Sequence, residues 1–145
     1  VFTGLVEKYH IDPRKLKLEI TETLFVSELE NHKNMLERLQ NYGFEVEIDD
    51  FGSGYSSLNI LKDIKADVIK IDMGFLQETK NVDRSQSILR SLIRLVKQLH
   101  MEVITEGVET EQQVQELLEM GCECFQGFYF CRPIPLDEFE EKYHI

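Results

Sequence analysis

The sequence predicts an α/β fold of parallel strands, and two observations carry that prediction. Short strand-like segments alternate with amphipathic helical segments along the whole 145-residue chain. Each of five strand segments also brings a polar or charged side chain to its carboxyl end. Alternating β-α units join neighbouring strands through helical crossovers, which makes the strands parallel. No internal repeat, low-complexity tract or linker interrupts the pattern, so residues 1–145 read as one domain of about five βα units.

The elements follow in order. Val1 to His10 has the character of a helix end, with Phe2, Leu5 and Val6 on one face, and Asp12-Pro13 breaks it. Lys15 to Ile20 alternates polar and apolar residues as a strand does, with Glu19 near its end. Ser27 and Glu30 form a capping box for a helix carrying Leu29, Leu36 and Leu39, which Gly43 stops. Phe44 to Ile48 is the second strand. Ser57 to Lys62 is a short helix with Leu58 and Leu61 inward, and Asp67 to Ile71 is a third strand interrupted by Lys70. Asn81 to Ser85 reads as a polar loop. Ile88, Leu92, Leu95, Val96 and Leu99 then recur at three- and four-residue steps and predict a long amphipathic helix. Glu102 to Thr105 is the fourth strand. Thr110 and Gln113 cap a helix that buries Val114, Leu117 and Leu118 and ends at Gly121. Cys124 to Phe128 gives a fifth short strand and turn, Pro133 and Pro135 bracket a loop, and Leu136 to Tyr143 closes the chain as a helix.

Composition narrows the function classes. A net charge of -11 argues against DNA or RNA binding by phosphate neutralisation, though a small phosphorylated ligand with a bound cation stays open. No apolar run approaches a membrane span, so the segment itself is expected to make no membrane contact. Cys122, Cys124 and Cys131 are odd in number and lack a second pair or nearby histidine, which predicts reduced thiols in a cytoplasmic protein. His10, His32, His100 and His144 read as surface residues at helix ends or termini. The absence of an initiator methionine suggests a piece of something longer.

The strand ends carry the chemistry. The first gives Glu19, the second Asp49 and Asp50, the third Lys70, the fourth Glu106 and the fifth Gln126. In a (β/α)8 barrel the active site gathers at that face from several strands. Asp49 and Asp50 can share a pocket only if the strand ends between them, and Gly52 and Gly54 make the turn cheap. Carboxylates suit hard divalent cations, two of which can clamp a phosphodiester. An ammonium such as Lys70 could orient a water or offset developing charge. Asp72 reads as a turn residue.

Five segments stand in order: Glu19-Ile20-Thr21-Glu22, Asp49 through Leu58, Lys70-Ile71-Asp72, Glu106 through Thr110, and Gln126-Gly127-Phe128. Together they resemble the EAL-domain cyclic di-GMP phosphodiesterases over the whole chain. The resemblance implies a TIM-type (β/α)8 barrel that hydrolyses cyclic di-GMP to linear pGpG with Mg²⁺ or Mn²⁺. Position by position, it implies metal ligation by Glu19, Asp49, Asp50 and Glu106, and a water held by Lys70. Glu109 and Gln126 would stand behind them or position water. Glu22 would tie down the loop Phe51-Gly52-Ser53-Gly54-Tyr55-Ser56-Ser57, which in this family governs metal binding, substrate binding and dimerisation. The Glu-Ala-Leu segment and a metal-binding asparagine are absent here. Since a whole barrel takes about 250 residues, the chain corresponds to strands four to eight of eight, the carboxyl-terminal part of an incomplete barrel. That piece alone is expected to be inactive, and to need its missing strands or a second copy to cover its open edges. Sensor or GGDEF-type domains upstream and a homodimer are the expected partners.

Two other readings compete. A degenerate receptor would bind cyclic di-GMP, or serve as a protein-interaction module, without cleavage. Carboxylates and a lysine on successive barrel strands also suit enolase-type proton abstraction.

Overall fold

The computed structural model describes residues 1–26, 29–52, 57–74 and 82–144. Their strands form one five-stranded sheet in the order β1-β2-β3-β4-β5, with every adjacent pair parallel. β1 spans Lys17–Thr21, β2 Glu45–Phe51, β3 Val68–Asp72, β4 Glu102–Glu106 and β5 Cys124–Phe125. The helices are α1 (Phe2–Tyr9), α2 (Leu29–Tyr42), α3 (Ser57–Asp63), α4 (Val82–Gln98), α5 (Glu111–Met120) and α6 (Leu136–Tyr143). Sequential strand order with a helix in each crossover is the arrangement the β-α alternation predicts.

The pleat divides each strand between two environments. Val46 and Ile48 of β2 align with Leu18 and Ile20 of β1, and Ile69 of β3 aligns with Ile48 and with Val103 of β4. This outer face packs under the helices. Leu36 of α2, Leu61 of α3, Leu89, Ile93 and Val96 of α4, and Leu117 and Met120 of α5 join it in one buried core. The other face carries Lys17, Glu19, Glu47, Asp49, Lys70 and Glu106.

Local signals set several boundaries. Asp12 accepts a hydrogen bond from the Arg14 N–H at 3.0 Å and opens a 3-10 turn with Pro13 in its first turn. The Thr110–Gln113 capping box forms with both of its bonds, and Gly121 closes α5 at φ 92°. The Ser27 capping box lies outside the described residues.

Five expectations are corrected. The long helix starts at Val82, inside the expected loop, and its buried stripe is Ser85, Leu89, Ile93 and Val96. Ile88 and Leu99 are exposed, while Leu92 and Leu95 are only partly buried. Two apolar stripes lie side by side on this helix, and periodicity alone cannot choose which one meets the sheet. Leu58 is exposed, as is Leu118, whereas Leu61 and Leu117 on the same helices are buried. His32 is a half-buried residue within α2 rather than a surface one. The fifth strand shortens to two residues because Gln126 and Gly127 turn back toward Val108.

Candidate active site

Lys70 sits in the middle strand of the sheet, and its side chain is 5% exposed. Its ammonium lies 2.6 Å from Glu19 Oε1, 2.9 Å from Glu106 Oε1 and 3.3 Å from Asp49 Oδ1. Four side chains from β1, β2, β3 and β4 therefore meet at one point. The register staggers these groups: Glu19 aligns with Glu47, Thr21 with Asp49, Lys70 with Ile104, and Asp72 with Glu106, and the long side chains reach one point on the inner face from successive levels. A lysine that merely snorkelled to water would stand at a sheet edge with its head exposed.

The second strand behaves differently from expectation. It does not stop between Asp49 and Asp50 but continues to Phe51, with the ladder to β3 slipping between Ile48 and Phe51. Asp50 takes the left-handed conformation at φ 55°, and Gly52 follows at φ 101°. Aspartate tolerates this region better than most side chains. The resulting bulge re-aims the chain at the rim. The Asp50 N–H donates to Asp49 Oδ1 at 3.0 Å, which orients the carboxylate that faces Lys70. Asp50 itself stands exposed at the rim.

Glu22 is 2% exposed, and its Oε2 accepts the Gly52 N–H at 3.0 Å. This bond ties the start of the loop to the turn after β1. Ser53 to Ser56 lie outside the described residues, and α3 begins at Ser57. Asp72 accepts the Gly74 N–H at 2.7 Å, as a turn residue does, and the Met73 N–H donates to the Glu106 carbonyl at 3.0 Å. Glu109 and Gln126 are exposed on the same rim. The Glu109 N–H donates to Gln113 Oε1, and the Gln126 backbone bridges Thr105 and Val108. Neither side chain is brought to Lys70 by the contacts described.

The electrostatics are those of a mutually held cluster. Burial alone would lower the pKa of Lys70, but Glu19, Glu106 and Asp49 outweigh it and hold the ammonium above the ordinary lysine value. Burial pushes the Glu106 carboxyl up, with Lys70 opposing and the neighbouring Asp49 adding to the rise. Three carboxylates against one ammonium leave an excess of negative charge. Among the described residues, no three acidic, histidine or cysteine side chains are grouped so as to hold a metal ion as they stand. The donor set nevertheless fits a hard divalent cation: all its atoms are carboxylate oxygens, and Asp49 and Glu106 repel one another without more positive charge.

Sequence reasoning missed Lys17 and Glu47. Glu47 is charged yet 3% exposed, on the same face as Asp49. The alternation Glu45-Val46-Glu47-Ile48-Asp49 held the signal, since every second residue is acidic.

Residues 2–133 match the EAL domain family. The chain belongs to that family. It is 40% identical over 136 residues to the signaling protein YkoW of Bacillus subtilis, covering 94% of this chain and 17% of that protein. It is 40% identical over 126 residues to the cyclic di-GMP phosphodiesterase NbdA of Pseudomonas aeruginosa, covering 87% of this chain and 16% of NbdA. The structure of the PaMucR phosphodiesterase in complex with c-di-GMP matches with a TM-score of 0.85 at 35% identity, over 94% of this chain and 56% of that one. The chain thus spans about a sixth of the curated relatives just named. Its five-stranded parallel sheet corresponds to part of a TIM-type EAL barrel. No helix among the described residues is long and apolar enough to cross a membrane.

Proposed function

We propose that this chain is the carboxyl-terminal part of a barrel that hydrolyses cyclic di-GMP to linear pGpG. The observation that carries the reading is the convergence of Glu19, Asp49 and Glu106 on the Lys70 ammonium within 3.3 Å. Support comes from family membership and from relatives named as cyclic di-GMP phosphodiesterases. Glu19, Asp49, Asp50 and Glu106 would hold Mg²⁺ or Mn²⁺, which supplies charge stabilisation of the phosphodiester when bound.

The chain's own residues divide the work. Lys70, kept protonated by its carboxylates, serves as a hydrogen-bond donor and positive charge rather than as a base. It holds the oxygen of the attacking water against the phosphorus. Glu106 closes the cluster from the fourth strand, 2.9 Å from the Lys70 ammonium, and takes part in the catalytic site. Glu22 fixes the start of the Phe51 to Ser57 loop by holding the Gly52 N–H. Glu109 and Gln126 support the rim from the segments that follow the fourth and fifth strands.

β1 and β5 are the edges of this sheet, and each offers an unpaired ladder to further strands. Upstream strands complete the barrel in this reading, and the isolated chain has no turnover. The intact protein works as a cytoplasmic homodimer with sensor or GGDEF-type domains attached.

The test is turnover of cyclic di-GMP by the intact protein with Mn²⁺ or Mg²⁺, followed by chromatography of pGpG. Asp49→Asn and Lys70→Ala are expected to lower kcat by orders of magnitude while circular dichroism stays unchanged. Near-normal rates in both variants would end this reading.

A further inference from the structure

A second ionic layer lies directly beneath the Lys70 cluster. Lys17 Nζ stands 2.8 Å from Glu45 Oε1 and 2.9 Å from Glu47 Oε1. The contact to Glu47 is ionic rather than an aligned hydrogen bond. Glu45 is 32% exposed to solvent, whereas Glu47 is 3% exposed. A buried carboxylate left without a cation is costly.

Glu47 stands opposite Glu19 in the ladder and two residues below Asp49 on its own strand. Two residues of strand rise about 6.6 Å, and neighbouring strands are about 4.8 Å apart. Glu47 aligns with Val68, two residues before Lys70, so the flexible four-carbon stem of Lys70 can reach either Glu47 or the group of Glu19, Asp49 and Glu106. Which carboxylates it meets depends on whether Glu47 is already neutralised.

We propose that Lys17 is a positioning residue: by pairing with Glu47 it keeps the Lys70 ammonium among Glu19, Asp49 and Glu106. Without Lys17, Glu47 draws the Lys70 ammonium downward and away from the reacting water. Lys65 and Glu102 line the same end of the sheet beside Lys17 and Glu45. Capture of Glu47 by Lys65 is the competing outcome. The catalytic consequence rests on the role given to Lys70 above, but the position of the ammonium does not.

The experiment follows the Lys70 ammonium by ¹⁵N-lysine NMR in the intact, metal-free protein, its signal identified by loss in Lys70→Met. Lys17→Met is expected to move that signal. Lys17→Met/Glu47→Gln is expected to return it, and Lys17→Met/Glu45→Gln is not. With Mn²⁺, kcat for cyclic di-GMP is expected to fall about tenfold in Lys17→Met at unchanged KM, and to recover with Glu47→Gln. A purely structural role would not be rescued by removing one particular carboxylate. Where Lys17→Met does not fold, Lys17→Gln carries the same expectations. A Lys70 signal unmoved by loss of Lys17, or restored equally by Glu45→Gln, overturns the proposal. A signal that moves with kcat unchanged supports the positioning and removes Lys70 from the catalytic reading instead.

Discussion

Gly127→Ala tests how the fifth strand is held against the fourth. A Cβ at Gly127 would overlap the Val108 carbonyl oxygen and nitrogen and stand 2.7 Å from its carbonyl carbon. These atoms are backbone, and Val108 is fully buried, so no side chain can swing aside. Relief requires the two segments to separate by roughly 1 Å, which a close-packed interior resists. Separation breaks the bond from the Val108 N–H to the Gln126 carbonyl at 3.2 Å and that from the Tyr129 N–H to the Val108 carbonyl at 3.0 Å. It also strains the bond from the Gln126 N–H to the Thr105 carbonyl at 2.8 Å. At about 1 kcal/mol for each bond, the loss is about 2–3 kcal/mol. Urea denaturation of the intact protein followed by circular dichroism measures it. Gly4→Ala is the control, because nothing lies within 4 Å of its added Cβ and the residue is helical. That variant is expected to be neutral or more stable by up to about 1 kcal/mol. Turnover should fall in Gly127→Ala as well, since Val108 lies two residues after Glu106. A Gly127→Ala protein within about 0.5 kcal/mol of the parent would refute the steric reasoning.

Other outcomes follow from the same structure. Thr110→Ala removes the side-chain bond of the α5 capping box and is expected to cost about 1 kcal/mol in urea denaturation. Ile93→Ala empties a fully buried position between α4 and the sheet and is expected to cost about 2–5 kcal/mol by the same measurement. Asp50→Val forces a β-branched residue into φ 55° and should cost about 1–2 kcal/mol, whereas Asp50→Asn should keep the bulge and lose only the charge. Glu22→Gln keeps an acceptor for the Gly52 N–H, but Glu22→Ala does not. Only the alanine variant is expected to raise the Mn²⁺ concentration needed for half-maximal turnover severalfold.

Much of the fold is legible in the sequence because short-range physics governs it. The capping pair Thr110 and Gln113 and the stop at Gly121 depend only on their neighbours, and both form as read. Lys70 inside an apolar run is costly anywhere except where carboxylates surround it, so its presence in Val68–Asp72 marked the site. The α4 stripe was not legible: Leu89 and Leu92 are chemically alike, and only the sheet decides which is buried. Leu58 and Leu118 were misread for the same reason. The bulge after Asp49 depends on an αL aspartate, which residue type permits but does not require. Lys17 and Glu47 were passed over because alternation says two residues share a face, not that they meet.

The sequence by itself determined the order of β-α units, the helix caps and the family, because each rests on local patterns of residue type. Only the tertiary structure decided that three carboxylates close on one ammonium, and that a second lysine pairs with Glu45 and Glu47. Those contacts join residues up to 51 positions apart, and strand register sets them.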